Sequence, residues 1–457
     1  MDTSSRTRIL KRLAACALWL GVWQAACLLV GSSILLASPL ETCRRLLDIV
    51  TSDRFLPIMW FSFSRIAGGF LSAFVLGVAL GFLAHHSSVA RELLAPVVLA
   101  FKSIPVACIV VLLLIWVGSR EVSGIAVFLM AFPAIYLATV EGLGQVDERL
   151  SQMLSVFGVG PLRRLLAHTW PSLLPYLVAT SRNACGMAWK AGVAAELIGT
   201  PLGSMGERIY QSKILLETAD LFAWTVIVVA VSYVFEQAFL WLLRQTGPVA
   251  VRSAVPRAGE RAAEAVPPEP ILLRDATLGY DASPVVEGLS FSLAAGERGV
   301  LTDASGTGKT TLLMTVAGLV PQLAGTVQRP QRFSMVFQET RLIEALSAED
   351  NVLLVGAGSL THDGVRALLR ELLPEEALGR PVSELSGGQR RRVELARALA
   401  HPSAAVLLDE PFSSLDEDTH QVAARFVMAH LKGRTLLMSS HVPEDVAALD
   451  ARQLSLS

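Results

Sequence analysis

The 457-residue sequence is poor in charge. Asp, Glu, Lys and Arg make up 17% of it and cancel to a net charge of −1. With 52% hydrophobic residues it cannot be a disordered chain, which needs low hydrophobicity and high charge. Without net positive charge it is not a nucleic-acid binder of the kind that depends on a basic surface. Cysteine is also scarce. Cys16, Cys27, Cys43, Cys108 and Cys185 all fall in the first half, with no CxxC or Cys/His spacing. That argues against zinc and against a disulfide framework. These cysteines read as small apolar side chains. No internal repeat or low-complexity tract stands out.

The few charges are unevenly placed. They make up about 13% of residues 1–245 and about 22% of the rest, at a mean hydropathy of +0.50 for the whole. The two parts therefore meet different solvents. A membrane-crossing helix needs about 20 mostly apolar residues. Six stretches qualify, at roughly 13–36, 58–84, 93–117, 122–140, 173–198 and 219–243. The first follows Arg6, Arg8, Lys11 and Arg12 but is too long for a signal-peptide core, so it reads as an uncleaved span. With the N-terminus inside, the connecting segments carry twelve Lys/Arg inside and six outside. That ratio predicts both termini inside, and so the second part in the cytoplasm.

Residues 246–270 hold five prolines and no apolar periodicity, the composition of a semi-extended linker. From Ile271 onward short β-type runs alternate with helical ones, as an α/β nucleotide-binding domain requires. The expected architecture is therefore an all-α polytopic membrane domain with six transmembrane helices over 1–245, the linker 246–270, and an α/β P-loop NTPase domain over 271–457.

The strongest local signal is Ser305-Gly306-Thr307-Gly308-Lys309-Thr310-Thr311, between the apolar run GVLT and the helical TLLMTVAGL. Glycines let backbone N–H groups approach phosphates, and the helix N-terminus adds partial positive charge. Lys309 would reach the β- and γ-phosphates, and Thr310 would offer its hydroxyl to Mg²⁺. The pattern calls for glycine at 303, where this chain has Asp303. Two readings follow: the side chain turns away and caps a backbone N–H, or its charge weakens nucleotide binding. About 100 residues on, the buried-type strand Val406-Leu407-Leu408 ends in Asp409-Glu410. Asp409 would hold Mg²⁺ through water, and Glu410 would polarise the attacking water.

Between these motifs lies Leu385-Ser386-Gly387-Gly388-Gln389, followed by an arginine-rich helix from Arg390 to Arg397. Here the sequence resembles the ATP-binding-cassette (ABC) family, whose signature is LSGGQ. The arginine run reads as a solvated helix face paired with Glu394 and nearby carboxylates. The resemblance implies that Ser386, Gly387 and Gly388 bind the γ-phosphate of ATP held by another subunit, with Gln389 in the same nucleotide-binding set. It further implies that Tyr280 stacks on adenine, that Gln338 senses Mg²⁺ and the membrane domain, that Asp416 lies in the D-loop, and that His441 is the switch histidine. Glu410, His441 and Gln338 are then catalytic, and Thr310, Gln338 and Asp409 the metal-contacting set.

The membrane part resembles importer permeases of the nitrate/sulfonate/taurine branch. The likeness rests on Arg65-Ile66-Ala67-Gly68-Gly69-Phe70 with Gly77 and Gly81, whose small residues permit close helix packing, and on Lys102-Ser103-Ile104-Pro105-Val106-Ala107, which matches that branch's break in the third span. The loop 141–172 resembles the permease coupling loop (about 145–170), with Gly158 at its glycine and Pro171 and Pro175 near its proline pair. Its EAA triplet falls on Gln152-Met153-Leu154, so the acidic residue is lost. Arg65 and Lys102 read as snorkelling near span ends. Glu196 is expected near the outer end of the fifth span, where it would cost little. Lys190, deeper in the same span, is expected either to line a path favouring an anionic solute or to play a packing role.

The resemblance implies ATP-driven import of a small solute across a bacterial inner membrane. It implies a homodimer using ATP and Mg²⁺, surrounded by membrane lipid and served by an external solute-binding protein. Two other readings stay open: a fused ABC exporter, and a membrane-bound regulatory subunit with a degenerate cassette.

Overall fold

The computed structural model describes residues 3–256, 266–280, 283–356 and 360–456. Helices α1 (Thr3–Val30), α2 (Pro39–Val50), α3 (Phe55–His86), α4 (Ser88–Ser103), α5 (Val106–Val117) and α6 (Val122–Gly144) come first. After α7 (Glu148–Val156), α8 (Pro161–Arg164) passes through one π-helical turn (Leu165–Thr169) into α9 (Trp170–Gly199), ahead of α10 (Met205–Ile214) and α11 (Thr218–Ala254). Strands then alternate with helices: β1 (Ile271–Tyr280), β2 (Ser283–Leu293), β3 (Arg298–Leu301), α12 (Lys309–Val316), β4 (Ala324–Gln328), β5 (Phe333–Val336), α13 (Ala348–Val355), α14 (His362–Arg370), α15 (Glu375–Leu378), α16 (Gly387–Ala400), β6 (Ala405–Asp409), α17 (Glu417–Leu431), β7 (Thr435–Ser439), α18 (Glu444–Ala448) and β8 (Arg452–Leu454).

The chain divides into two compact units. One joins Met1–Gln145 to Leu173–Thr246, and the other joins Val146–Ser172 to Gly247–Ser457. Within the helical unit, α3 and α6 form the most extensive pair. Small residues make that approach possible. A Cβ on Gly69 would stand 2.2 Å from the Gly124 carbonyl oxygen, and one on Gly81 would stand 2.5 Å from Thr139 Cβ. Ala73 and Gly77 continue this row at four-residue spacing, one ridge of α3. Phe70 packs edge-on against Phe235 and Phe239 of α11.

Six spans are not met by length and composition. Among the described residues four helices are long and apolar enough to cross a membrane, and a fifth span results if α4 and α5, bent by 105° across Ile104-Pro105, count as one. The remaining expected span coincides with α9, whose apolar character is broken by Arg182, Lys190 and Glu196.

One of these buried-charge expectations is corrected, that for Glu196. Arg65 donates from its guanidinium to the carbonyls of Arg120 (2.7 Å) and Phe61 (3.3 Å), faces Glu121 at 3.4 Å and lies over the Phe61 ring. Glu196 is wholly buried, and its carboxylate accepts from Ser62 Oγ (2.7 Å) and Gly206 N (3.2 Å). Tight packing of Gly206 against Glu196 makes that pocket, so helix position alone misjudged its environment. Lys190 is exposed on α9, and Lys102 is exposed in the last turn of α4.

The linker also differs from expectation. Residues 246–254 continue α11, with Pro248 inside the helix, because Val251 and Ala254 bury apolar side chains in the second unit. Residues 257–265 lie outside the described residues, and 266–270 form irregular chain leading into β1.

The second unit holds two sheets. β2-β1-β4 is antiparallel, and β5-β6-β7-β3-β8 is parallel throughout. Strands β6 and β7 are buried along their full length, as expected of a parallel sheet covered on both faces. The segment 146–172 belongs to this unit and not to the membrane helices. Met153, Leu154, Phe157, Val159 and Ala167 join one core with Leu312, Phe337 and Leu407.

Candidate functional site

The site forms where β3, β6 and β7 end together, since parallel strands direct their carboxyl ends to one edge. After β3 the chain turns through Gly306 (φ 84°) and Gly308 (φ 100°), a left-handed backbone that side chains rarely adopt. Gly308 precedes the first residue of α12, so the N–H groups of Lys309, Thr310 and Thr311 begin a helix. Lys309 is buried, and its ammonium donates to the carbonyls of Asp303 and Ala304, the latter at 3.1 Å. Thr307 Oγ1 donates to Ala304 O (2.9 Å), closing the loop on itself.

Asp409, the last residue of β6, is almost wholly buried. Burial pushes its carboxyl group up, against the pull of hydrogen bonds from Ser439 Oγ, at 2.7 Å, and Thr310. Thr310 and Asp409, expected to share a metal, thus meet. A hydroxyl beside a carboxylate suits Mg²⁺, which takes hard oxygen ligands and fills its shell with water and phosphate. Glu410 follows in a left-handed conformation (φ 47°), its N–H donating to Ser439 O (3.2 Å) and Ser439 Oγ (3.0 Å). His441 Nε2 lies 2.6 Å from Glu410 Oε1 and 3.3 Å from Ser305 Oγ. P-loop, strand-end carboxylates and histidine therefore form one cluster.

Among the described residues, Tyr280, Gln338, Ser386, Gly387, Gly388, Gln389 and Asp416 make no side-chain hydrogen bond to this cluster. Gln338 is exposed just after β5, and Tyr280 is exposed at the end of β1. Thr311 is buried in α12, where its carbonyl accepts from Thr315. Ser386 caps α16, with its Oγ accepting from Gln389 N (3.3 Å) while Gln389 Oε1 accepts from Ser386 N (2.9 Å). Gln389's side chain is thereby committed to the helix start, whereas Gly387 and Gly388 leave first-turn N–H groups beside an exposed surface. Asp416 caps α17, and its carboxyl group is held low by hydrogen bonds from the Thr419 side chain and backbone. Among the described residues no hydrogen bond joins Ser386, Gly387 or Gly388 to the P-loop of the same chain.

The arginine run is not a solvated face. Arg391, Glu394 and Arg397, three apart on α16, are buried. Arg391 donates to the carbonyls of Phe337, Pro411 (3.1 Å), Asp409 (2.7 Å) and Glu410 (2.7 Å), and meets Glu394 Oε2 at 3.1 Å. It buckles the signature helix to the strand end that carries both carboxylates. Burial pushes Arg397 down to about 10, which leaves it charged at neutral pH. Its guanidinium donates to Arg341 O (2.6 Å) and lies 5.0 Å from the Phe157 ring centre. Ser439 and Arg391 were missed as site residues. The three-residue spacing of Arg391, Glu394 and Arg397 was the one available signal.

The segment 146–172 packs within the same unit. Arg341 lies over the Phe337 ring and donates to Gln152 Oε1 (3.0 Å) and Arg149 O (3.3 Å), and Arg149 pairs with Glu339. Phe157 stands edge-on to His401 at 5.2 Å. Gln152, where the EAA pattern has its acid, thus meets Arg341 as a neutral acceptor.

Residues 286–413 match the family model described as ABC transporter, and residues 73–245 match the binding-protein-dependent transport system inner membrane component. The aliphatic sulfonates import ATP-binding protein SsuB 1 of Pseudomonas fluorescens is 37% identical over 188 residues, 40% of this chain and 72% of that protein. The chain belongs to the ABC transporter family. This ABC transporter joins an importer-type membrane component and an ATPase in one polypeptide. Its cassette is also 35% identical to SsuB 2 of Paraburkholderia xenovorans, over 43% of this chain and 81% of that protein. It is 40% identical to the cytochrome c biogenesis ATP-binding export protein CcmA of Rhodobacter capsulatus, over 38% and 80%. A solved dimeric bacterial ABC transporter cassette aligns with 41% of this ABC transporter and 94% of its own chain, at 23% identity and a TM-score of 0.37.

Proposed function

We propose that the chain is half of a homodimeric importer, driven by ATP and served by an external solute-binding protein, for a small anionic solute of the sulfonate class. The observation that carries this reading is the cluster of Lys309, Asp409, Glu410 and His441 at the ends of elements whose apolar core also seats the segment 146–172. The membrane component's match to binding-protein-dependent transport systems favours import over export, and the sulfonate-import relatives, which match the cassette, support an anionic solute of that class. Exposed Lys190 and Lys102 offer positive charge to such an anion. Lys102 lines a cavity of about 390 Å³ with Phe101, Met130, Glu141, Thr180 and Met187. The bacterial inner membrane is the setting these relatives imply.

In this reading Lys309 leaves the Asp303 and Ala304 carbonyls to engage the β- and γ-phosphates. Thr310 and Asp409, together with Gln338, would hold Mg²⁺, which would neutralise phosphate charge. Glu410 releases His441 and orients the attacking water, while His441 turns to the γ-phosphate. Ser386, Gly387 and Gly388 of a second copy close the site with their helix-start N–H groups. ATP then acts through its tighter binding to the closed dimer. Arg341 and Phe157 pass that closure to the segment 146–172.

The test is ATP turnover by the full chain in lipid, wild type beside Glu410→Gln, with a sulfonate-loaded binding protein added or omitted. The expected result is turnover that rises with the loaded partner and is lost in Glu410→Gln, while ATP binding persists. Turnover indifferent to any binding protein would overturn the importer reading. Turnover equal in the variant would overturn the role of Glu410.

A further inference from the structure

Asp303 departs from the glycine that the P-loop pattern calls for, and the structure shows where its charge goes. Its Oδ1 accepts from Ser455 Oγ at 2.7 Å, and its Oδ2 accepts from Leu456 N at 3.1 Å. These partners continue a register begun in the sheet. β8 pairs in parallel with β3 up to Leu301↔Leu454. Gln453, paired with Val300 in that ladder, donates from Nε2 to Oγ1 of Thr302, the residue after Leu301, at 2.7 Å. Leu454 is buried against Gly299, where an added Cβ would stand 2.5 Å from its Cδ1. Meanwhile the backbone carbonyls of Asp303 and Ala304 hold the Lys309 ammonium.

We propose that Asp303 is a positioning residue for ATP, and that β8 with Ser455 and Leu456 is its buttress. Both carboxylate oxygens are occupied on the side of β8. The negative charge is thereby turned from the phosphate site, and the carbonyls that park Lys309 are fixed. Without the buttress the carboxylate is free to rotate toward the loop's cradle, where it meets the like charge of the polyphosphate. The departure at 303 and the segment 453–456 thus work as one device. The inference rests on the reading of the P-loop as an ATP site, and goes beyond it by assigning residues about 150 positions away.

The test measures binding of a fluorescent ATP analogue to the full chain in lipid, in a Glu410→Gln background that prevents turnover. Ser455→Ala is expected to weaken binding about tenfold at low salt, the lower end of the scale of one lost hydrogen bond to a charged group. The penalty should shrink in high salt, because repulsion between exposed like charges is screened. Ser455→Thr should restore binding, and Leu456→Pro, which removes the second donor, should reproduce the loss. In an Asp303→Gly background, Ser455→Ala should make no further difference. A general weakening of the fold would respond neither to salt nor to residue 303. Affinity unchanged in both Ser455→Ala and Leu456→Pro, or an equal loss in the Asp303→Gly background, would overturn the proposal. Absence of binding before any change at 303, 455 or 456 would instead overturn the ATP reading itself.

Discussion

Replacing Arg391 by methionine removes a buried guanidinium of similar length and keeps the apolar stem. Only 3% of Arg391 is exposed. The substitution orphans carbonyls of Phe337, Asp409, Glu410 and Pro411, and leaves Glu394 to Arg341 N at 2.7 Å and a more distant Arg397 at 3.6 Å. Breaking a buried ion pair from one side costs about 3–5 kcal/mol, and the orphaned carbonyls place this case in the upper half of that range. For a unit of this size each kcal/mol moves the midpoint by about 2–4 °C, so cassette unfolding should fall by roughly 10 °C or more. Arg391→Lys keeps the charge but not the planar fork, and should recover about half of that. The assay is calorimetry of the full chain in lipid, read beside ATP turnover. Turnover should fall further than nucleotide binding, because the backbone of Glu410 loses its anchor. A solvated arginine would give less than about 0.5 kcal/mol. An Arg391→Met midpoint within 1–2 °C of wild type, with normal turnover, would therefore refute the buckle and restore the surface-face reading.

Two further outcomes follow from the packing. Gly69→Ala drives a Cβ into the Gly124 carbonyl on the neighbouring helix, so α3 and α6 must separate. A loss of about 1–3 kcal/mol is expected, while Gly68→Ala, with open space around it, should be tolerated in the same thermal assay. His401 donates from Nδ1 to Val355 O at 3.0 Å, and burial pushes its imidazole down to about 4. The unfolded chain, with an ordinary value near 6.5, binds the extra proton in this window. Stability is therefore complete above about pH 6.5 and declines as pH falls toward 4, by at most about 3 kcal/mol. The slope of cassette melting temperature against pH should flatten in His401→Gln, and an unchanged slope would remove His401 as its source.

The chemistry was legible because it lies in local motifs. A glycine-lysine-threonine turn must follow a strand and open a helix wherever it binds phosphate, and Ser386 to Gln389 show the capping pattern of a helix start in sequence alone. The division into a low-charge helical part and an α/β part followed from composition, since the two solvents select different residues. What escaped depends on contacts distant in sequence. Arg391 resembles any helix-surface arginine until α16 is packed against the ends of β5 and β6. Glu196 looked cheap near a helix end until Ser62, 134 residues away, gave it a buried hydrogen bond. The broken α4–α5 pair was foreshadowed by Pro105, whereas the span expected over 173–198 falls on α9, whose apolar run is interrupted by Arg182, Lys190 and Glu196. Asp303 divides the same way. Its departure from glycine is visible in one residue, but the direction of its carboxylate was decided by β8, which only the parallel pairing with β3 brings alongside.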